Sequence, residues 1–151
     1  MMKKTIWFIV NPISGVRRKD DIPGLIHVHL DHSIFDYEIR YTTHKGHAID
    51  LALEAVQQQV DVVCAVGGDG SVHEVGTALI GSQTRLAVLP IGSGNGLARH
   101  MLIPRDVRKA IECINQLNDI QMDTVLVNDK PFLGVGGYGL DAVIAKKFDE
   151  D

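Results

Sequence analysis

Three apolar segments of this chain each end abruptly at a loop that contains glycine. The segments are residues 6–10, 61–66 and 85–90, and the loops after them are residues 11–15, 67–71 and 92–96. A short, continuous apolar run is typical of a strand that is buried on both faces. Between the runs, apolar residues recur at the spacing of helical faces. Strands that alternate with helices predict an α/β fold of three layers, in which a mostly parallel sheet carries helices on both faces.

Helices are predicted in the segments between the strands. One ends near Leu30, a second covers residues 48–56, a third follows Gly68, and a fourth is capped by Asp106. Further strands are predicted at residues 37–42, 123–127 and 131–135, the last two joined by a turn at residues 128–130. The residues expected to face inward on the last three helices are Ala48, Ile49, Ala52, Leu53 and Val56, then Val72, Val75, Leu79 and Ile80, then Val107, Ala110, Ile111, Ile114 and Leu117.

The composition is that of a single globular domain, covering residues 1–151, with its own core. Hydrophobic residues make up 45% of the 151 residues and charged residues 23%. A net charge of −4 argues against a broad basic surface for nucleic acid. No apolar stretch approaches the roughly 18 residues of a membrane span, and no signal peptide is evident, so we expect a cytoplasmic protein whose contact with a membrane is peripheral. Cys64 and Cys113 lack disulfide or metal spacing and are expected to be small buried hydrophobes.

The three glycine-bearing loops predict a binding site for a polyphosphate. In an open α/β sheet, the loops at the carboxyl ends of parallel strands converge on one crevice. Glycine has no Cβ, so the backbone N–H groups of such loops can approach an anion closely. The helix that follows each loop also directs its positive end towards the same place. Hydroxyl donors are available from Ser71 and Ser93.

An acidic residue, Asp69, lies inside the second of these loops. A carboxylate in a phosphate-binding loop would repel its ligand unless a divalent cation lay between them, so Asp69 predicts Mg²⁺. The motif leaves open whether Asp69 positions the ion, directly or through water, or helps to activate an attacking hydroxyl.

Several other motifs are incomplete. No Gly-Lys-Ser/Thr sequence is present, so the loops are not of the Walker type. Residues 134–139 match Gly-x-Gly-x-x-Gly, but only twelve residues follow, whereas the acidic partner of a dinucleotide site lies about 20 residues further on. The pair His73 and Glu74 lacks the second histidine of a zinc-protease helix. The histidines at positions 27, 29 and 32 would not share one helical face and are interpreted as solvated.

The loops, in this order and spacing, resemble the diacylglycerol kinase catalytic-domain family, which also contains sphingosine, ceramide and bacterial lipid kinases. The motifs that carry the resemblance are Asn11-Pro12-x-Ser14-Gly15, Thr43 with Gly46-x-Ala48, Gly67-Gly68-Asp69-Gly70-Ser71-x-x-Glu74-Val75, Pro90-x-Gly92-Ser93-Gly94-Asn95-x-x-Ala98-Arg99, and Asp123 with Gly139-x-Asp141-Ala142. Many bacterial diacylglycerol kinases have aspartate where this chain has Gly96, which brings it nearer to the sphingosine and ceramide kinases and leaves the lipid open.

The resemblance implies a fold similar to NAD kinase and phosphofructokinase, with ATP across the loops. It implies a catalytic role for Asp69, Mg²⁺ at Asp69 and more weakly at Asp123, and a lipid substrate at the membrane surface. A second, β-rich domain, which would carry the general base, is expected beyond this chain. The residues expected to bind the nucleotide are Asn11, Pro12, Ser14, Gly15, Thr43, Gly67, Gly68, Asp69, Gly70, Ser71, Glu74, Gly92, Ser93, Gly94 and Asn95.

Two alternatives stay open from the sequence alone. A kinase of the same superfamily could act on a soluble substrate such as NAD or a sugar phosphate, because the Gly-Gly-Asp-Gly loop does not exclude it. The chain could instead be a nucleotide-binding or regulatory module without catalysis of its own. A homodimer is compatible with the sequence, which does not determine the oligomeric state.

Overall fold

A computed structural model describes residues 2–13 and 21–133 of the chain. The strands and helices follow one another as predicted for an α/β fold. In chain order they are β1 (Lys4–Val10), α1 (Ile22–His29), β2 (Phe35–Tyr41), α2 (His47–Gln57), β3 (Val62–Gly67), α3 (Asp69–Leu79), β4 (Arg85–Pro90), α4 (Gly96–His100), α5 (Val107–Asn115), β5 (Val125–Val127) and β6 (Lys130–Phe132).

The central sheet has the strand order β2-β1-β3-β4, and every neighbouring pair is parallel. Side chains of β1 and β3 alternate between the two faces and form two separate cores. On one face Ile6 and Phe8 of β1 pack with α1 and α5; on the other Trp7 and Ile9 pack with α2 and α3. The predicted three-layer arrangement with helices on both faces is therefore confirmed.

One predicted helix cap and one predicted hairpin turn are present in the structure. The Asp106 carboxylate accepts hydrogen bonds from the backbone N–H groups of Arg108 and Lys109 at the start of α5. These bonds hold the pKa of Asp106 below its usual range, and the bond from the Lys109 N–H has the larger effect. Strands β5 and β6 form an antiparallel hairpin whose turn residues Asn128 and Asp129 both have positive φ angles, as a tight hairpin turn requires.

The inward face of α2 was predicted correctly for Ala48, Ala52 and Val56 but wrongly for Ile49 and Leu53. Ile49 and Leu53 are 37% and 44% exposed, whereas Leu51 and Ala55 are buried beside Ala48 and Ala52. The helix packs with its alanines towards the sheet, because small side chains allow the closest approach of the two backbones. Apolar periodicity predicts the helix but does not determine which of two adjacent apolar faces lies inward.

Two other burial predictions were also wrong. Ile80 is 43% exposed, since α3 ends at Leu79 and the helical spacing no longer applies beyond it. Cys113 is exposed on α5, on the side away from the buried Ala110 and Ile111. Cys64 is buried in β3 as predicted, and its burial raises the pKa of the thiol far above the usual range.

Three boundaries differ from the prediction. Helix α4 was not predicted as a separate element, β2 begins and ends earlier than the predicted residues 37–42, and β5 is shorter than the predicted residues 123–127. Among the helices that the structure describes, none combines the length and the hydropathy needed to cross a bilayer.

Candidate functional site

The carboxyl ends of the four central strands lie at one edge of the sheet. In the parallel register, Val10 at the end of β1 pairs with Tyr41 of β2 and with Val66 of β3, and Gly67 pairs with Pro90 of β4. The four loops that follow these strands therefore begin at nearly the same level, at one edge of the sheet as predicted.

Three of these loops enclose a pocket of about 350 Å³. Its lining residues come from the segments after β1, β2 and β3 and from the first turns of α2 and α3. They are Asn11, Ile13, Thr42, Thr43, His44, Lys45, Ala48, Gly68, Gly70, Ser71 and Glu74. The structure thus brings together six of the residues predicted from the sequence. They are Asn11, Thr43, Gly68, Gly70, Ser71 and Glu74.

The first turn of α3 is the part of the pocket best suited to an anion. The helix begins at Asp69, and its N-cap is Gly68, which offers no side chain to the free backbone N–H groups. A Cβ added at Gly70 would meet nothing within 4 Å, so the backbone there is open. The positive end of the helix dipole and these N–H groups together favour a phosphate at this position.

The loop after β1 presents an ordered amide. The Asn11 side-chain oxygen accepts a hydrogen bond of 3.0 Å from the backbone N–H of Ile13, so the side-chain NH₂ of Asn11 remains available as a donor. Pro12 and Ile13 are exposed. The predicted contacts Ser14 and Gly15, like the motif at residues 134–139, lie outside the described residues.

The third glycine loop packs against the second instead of lining the described pocket. The backbone N–H of Ile91 donates to the Gly67 carbonyl over 3.1 Å. A Cβ added at Gly92 would lie 2.4 Å from the Gly68 Cα, a separation that real structures do not contain. Gly92 is therefore required where two backbones touch, a role that the sequence did not reveal. Ser93 is exposed on the same loop.

Asp69 links these two loops. Its Oδ1 accepts a hydrogen bond of 2.6 Å from the backbone N–H of Gly96, the first residue of α4. The carboxylate thus serves as the N-terminal cap of α4, although it comes from a residue 27 positions earlier in the chain. A Cβ added at Gly94 would lie 2.4 Å from Asp69 Oδ2, so Gly94 leaves room for that oxygen.

Asn95 stabilises the third loop from within. It is 4% exposed and adopts a left-handed conformation with φ of 54°. Its side-chain NH₂ donates to the Gly92 carbonyl, whereas its Oδ1 has no hydrogen-bond partner among the described residues. Asparagine is one of the few residues that adopt this backbone conformation readily.

The described residues fit a Mg²⁺ ion that is held mainly by a nucleotide. They contain no group of three or more histidine, cysteine, aspartate or glutamate side chains that could hold a metal alone. Mg²⁺ at nucleotide sites is usually bound by one or two carboxylates together with phosphate oxygens and water. Asp69 is not among the residues that line the pocket, and its Oδ2 lies beside Gly94, whereas Glu74 does line the pocket. Asp123 is exposed before β5 and is not among the residues that line the pocket.

The loop after β2 contributes pocket residues that the sequence reasoning missed. His44 and Lys45 line the pocket, and His47 contacts Thr43 at its edge. These residues could have been predicted as site residues, because they directly follow the predicted strand at residues 37–42, and the carboxyl end of that strand lies at the edge of the sheet that carries the pocket. The histidines at positions 27 and 32 lie elsewhere, where His32 bonds to the His27 carbonyl.

The fold and the site define an α/β domain in which loops at the carboxyl edge of a parallel sheet enclose a pocket. Comparison with known proteins identifies the family. The sequence profile described as "Diacylglycerol kinase catalytic domain" matches residues 5–127. The chain belongs to this family, as its loop motifs predicted.

Relatives and solved structures agree with this assignment. A Klebsiella pneumoniae (strain 342) protein named "Probable lipid kinase YegS-like" is 38% identical over 109 residues, which cover 69% of this chain and 37% of the relative. A Staphylococcus saprophyticus protein named "Diacylglycerol kinase" is 29% identical over 141 residues, covering 91% of this chain and 46% of the relative. A crystal structure of a diacylglycerol kinase from Bacillus anthracis str. Sterne superposes with a TM-score of 0.73 at 25% identity, covering 87% of this chain and 48% of that one. The chain thus spans less than half the length of these proteins.

Proposed function

We propose that this chain is the nucleotide-binding domain of an ATP-dependent lipid kinase. The observation that supports the proposal most strongly is the pocket at the carboxyl edge of the sheet, into which the uncapped first turn of α3 opens. Backbone N–H groups at a helix start suit a triphosphate, and the family to which the chain belongs contains kinases. The location would be cytoplasmic, with contact to the membrane surface that carries the lipid.

The proposed reaction is in-line transfer of the γ-phosphoryl group of ATP to a lipid hydroxyl. The bond from the γ-phosphorus to the bridging oxygen breaks, a bond to the lipid oxygen forms, and the hydroxyl proton passes to a base. The backbone N–H groups of Gly70 and Ser71 would hold phosphate oxygens, and Lys45, which also lines the pocket, would add positive charge. Bound Mg²⁺ would neutralise charge on the phosphates.

Asp69 has two roles in this proposal. Its Oδ1 fixes the third loop through Gly96, and its Oδ2 would help to hold Mg²⁺, directly or through water. The same carboxylate could instead assist a general base from elsewhere in activating the hydroxyl, and in either case Asp69 takes part in the reaction. We further propose that the lipid cleft and the general base belong to a second, β-rich domain outside this chain.

The proposal is tested by measuring binding and turnover side by side. Calorimetry with Mg-ATP should show one binding site on this chain. Transfer of labelled γ-phosphate should occur with the full-length protein and vesicles that contain diacylglycerol, sphingosine or ceramide, and not with NAD or a sugar phosphate. Absence of ATP binding would overturn the proposal, and turnover of only the soluble acceptors would replace the lipid by a soluble substrate.

A further inference from the structure

The loop between β2 and α2, residues 42–46, is held together by its own side chains and by His47. The backbone N–H of Thr43 lies 3.1 Å from Nδ1 of His47. The Thr43 hydroxyl lies 3.0 Å from Nδ1 of His44 and 3.1 Å from Nδ1 of His47. The rings of His44 and His47 stack with centroids 4.8 Å apart and an interplanar angle of 8°.

The direction of the first of these bonds determines the state of His47. A backbone N–H can only donate, so Nδ1 of His47 must accept and therefore carries no proton. The His47 ring is then neutral, with its proton on Nε2. The single lone pair on Nδ1 is used by the Thr43 N–H, and the Thr43 hydroxyl can donate to Nδ1 of His44 instead. The arrangement is satisfied when both rings are neutral.

The bond to His47 ties the start of α2 to the loop that precedes it. The N-cap of α2 is Gly46, which has φ of 85° and no side chain to cap the helix. The side chain of His47, the first residue of α2, reaches back along the loop and accepts a hydrogen bond from the backbone N–H of Thr43. This contact sets the path of a loop in which Thr42, Thr43 and His44 line the pocket.

We infer that His47 is a positioning residue for the nucleotide site, acting through Thr43, and that the loop binds nucleotide only while His47 is neutral. The inference rests on the proposed function, because it concerns affinity for ATP. A proton on Nδ1 would place an N–H group against the Thr43 N–H and break the bond. A second proton on His44 would add repulsion between two stacked cations.

Several other charged groups among the described residues lie on the loop or on the elements beside it. Lys45 belongs to the same loop, Asp50 lies one turn further along α2, and Glu74 faces the pocket from α3. Arg40 on β2 is engaged by Glu38 and by the ring of Trp7.

The sign of the pH dependence distinguishes positioning from direct contact. If the imidazoles contacted phosphate themselves, acid would charge them and strengthen ATP binding. If they act through Thr43, acid weakens binding.

The experiment is calorimetry with Mg-ATP on the full chain at about pH 8 and about pH 5.5, values on either side of histidine titration. The wild type should bind roughly tenfold more weakly at the lower pH, the equivalent of one lost hydrogen bond. His47→Ala should lose about tenfold at the higher pH and show little further change in acid. His47→Asn should restore binding at about pH 8, because its side-chain oxygen can stand near the place of Nδ1, whereas His47→Gln should not.

A matched control and a second readout complete the test. His29→Ala, on α1 at the opposite face of the sheet, should leave both affinities unchanged. In the free protein at about pH 8, NMR of the ring nitrogens should show His47 with Nδ1 unprotonated. Equal affinity of His47→Ala and wild type, stronger binding in acid, or a protonated Nδ1 would each overturn the inference. If the wild type bound no ATP at either pH, the proposed function would fail first, whatever the NMR spectrum showed.

Discussion

The second and third glycine loops look alike in sequence but differ in the structure. Gly68, Gly70 and Ser71 of the second loop line the pocket, and a Cβ added at Gly70 would meet nothing within 4 Å. Residues 92–96 turn towards the second loop, and a Cβ at Gly92 would collide with the backbone of Gly68. In the second loop glycine leaves room for a ligand to reach the backbone, whereas in the third loop it allows the backbones of the two loops to come into contact. The two requirements predict opposite responses to the same substitution.

The largest effect is expected for Gly92→Ala. The added methyl group would lie 2.4 Å from the Gly68 Cα, where a backbone and not a flexible side chain must move. We expect a loss of about 3 kcal/mol in the free energy of unfolding, measured by urea denaturation, with weaker ATP binding. A variant as stable as the wild type would show that the two loops are not packed as described.

A smaller loss is expected for Asn95→Ala. The substitution removes the hydrogen bond to the Gly92 carbonyl and leaves alanine in a left-handed conformation, for a total of about 2 kcal/mol. The control is Asn95→Gly, which tolerates the conformation and should lose only about half as much. Equal losses in the two variants would assign the whole effect to the hydrogen bond.

Substitutions of Asp69 separate its structural contact from its charge. Asp69→Asn keeps an oxygen that can accept from the Gly96 N–H, so stability should change little while turnover of the full-length enzyme falls by at least tenfold. Asp69→Ala removes the acceptor as well and should cost about 1 kcal/mol, since the bond is exposed. Unchanged turnover in Asp69→Asn would remove Asp69 from the reaction.

The smallest change in stability, and of opposite sign, is expected for Gly70→Ala. Alanine in the first turn of α3 meets open space and restricts the unfolded chain, so the free energy of unfolding should rise by about 0.5 kcal/mol. The methyl group would nevertheless hinder a phosphate from reaching the backbone, and the affinity for Mg-ATP should fall. Destabilisation by this variant would contradict the distinction between the two loops.

The sequence was sufficient for the layers and for the edge at which the site lies. Apolar runs such as residues 61–66 predict buried strands, and the ends of parallel strands must share one edge. Three findings depended on distances between residues far apart in the chain. The contact of Gly92 with Gly68, the cap that Asp69 provides for Gly96, and the choice of Leu51 over Ile49 as the buried residue of α2 are all tertiary. Local patterns carry no information about such distances.

The two cores on opposite faces of the sheet differ in their relation to the pocket. Among the described residues, those lining the pocket come from the loops after β1, β2 and β3 and from α2 and α3, and none comes from α1 or α5. Substitutions of buried residues on α1 and α5, such as Ile26 or Ile111, can therefore change the thermal stability of the domain without changing the residues that line the pocket. That half of the domain is the place where the protein could be made more robust, or could drift during evolution, without a cost to recognition.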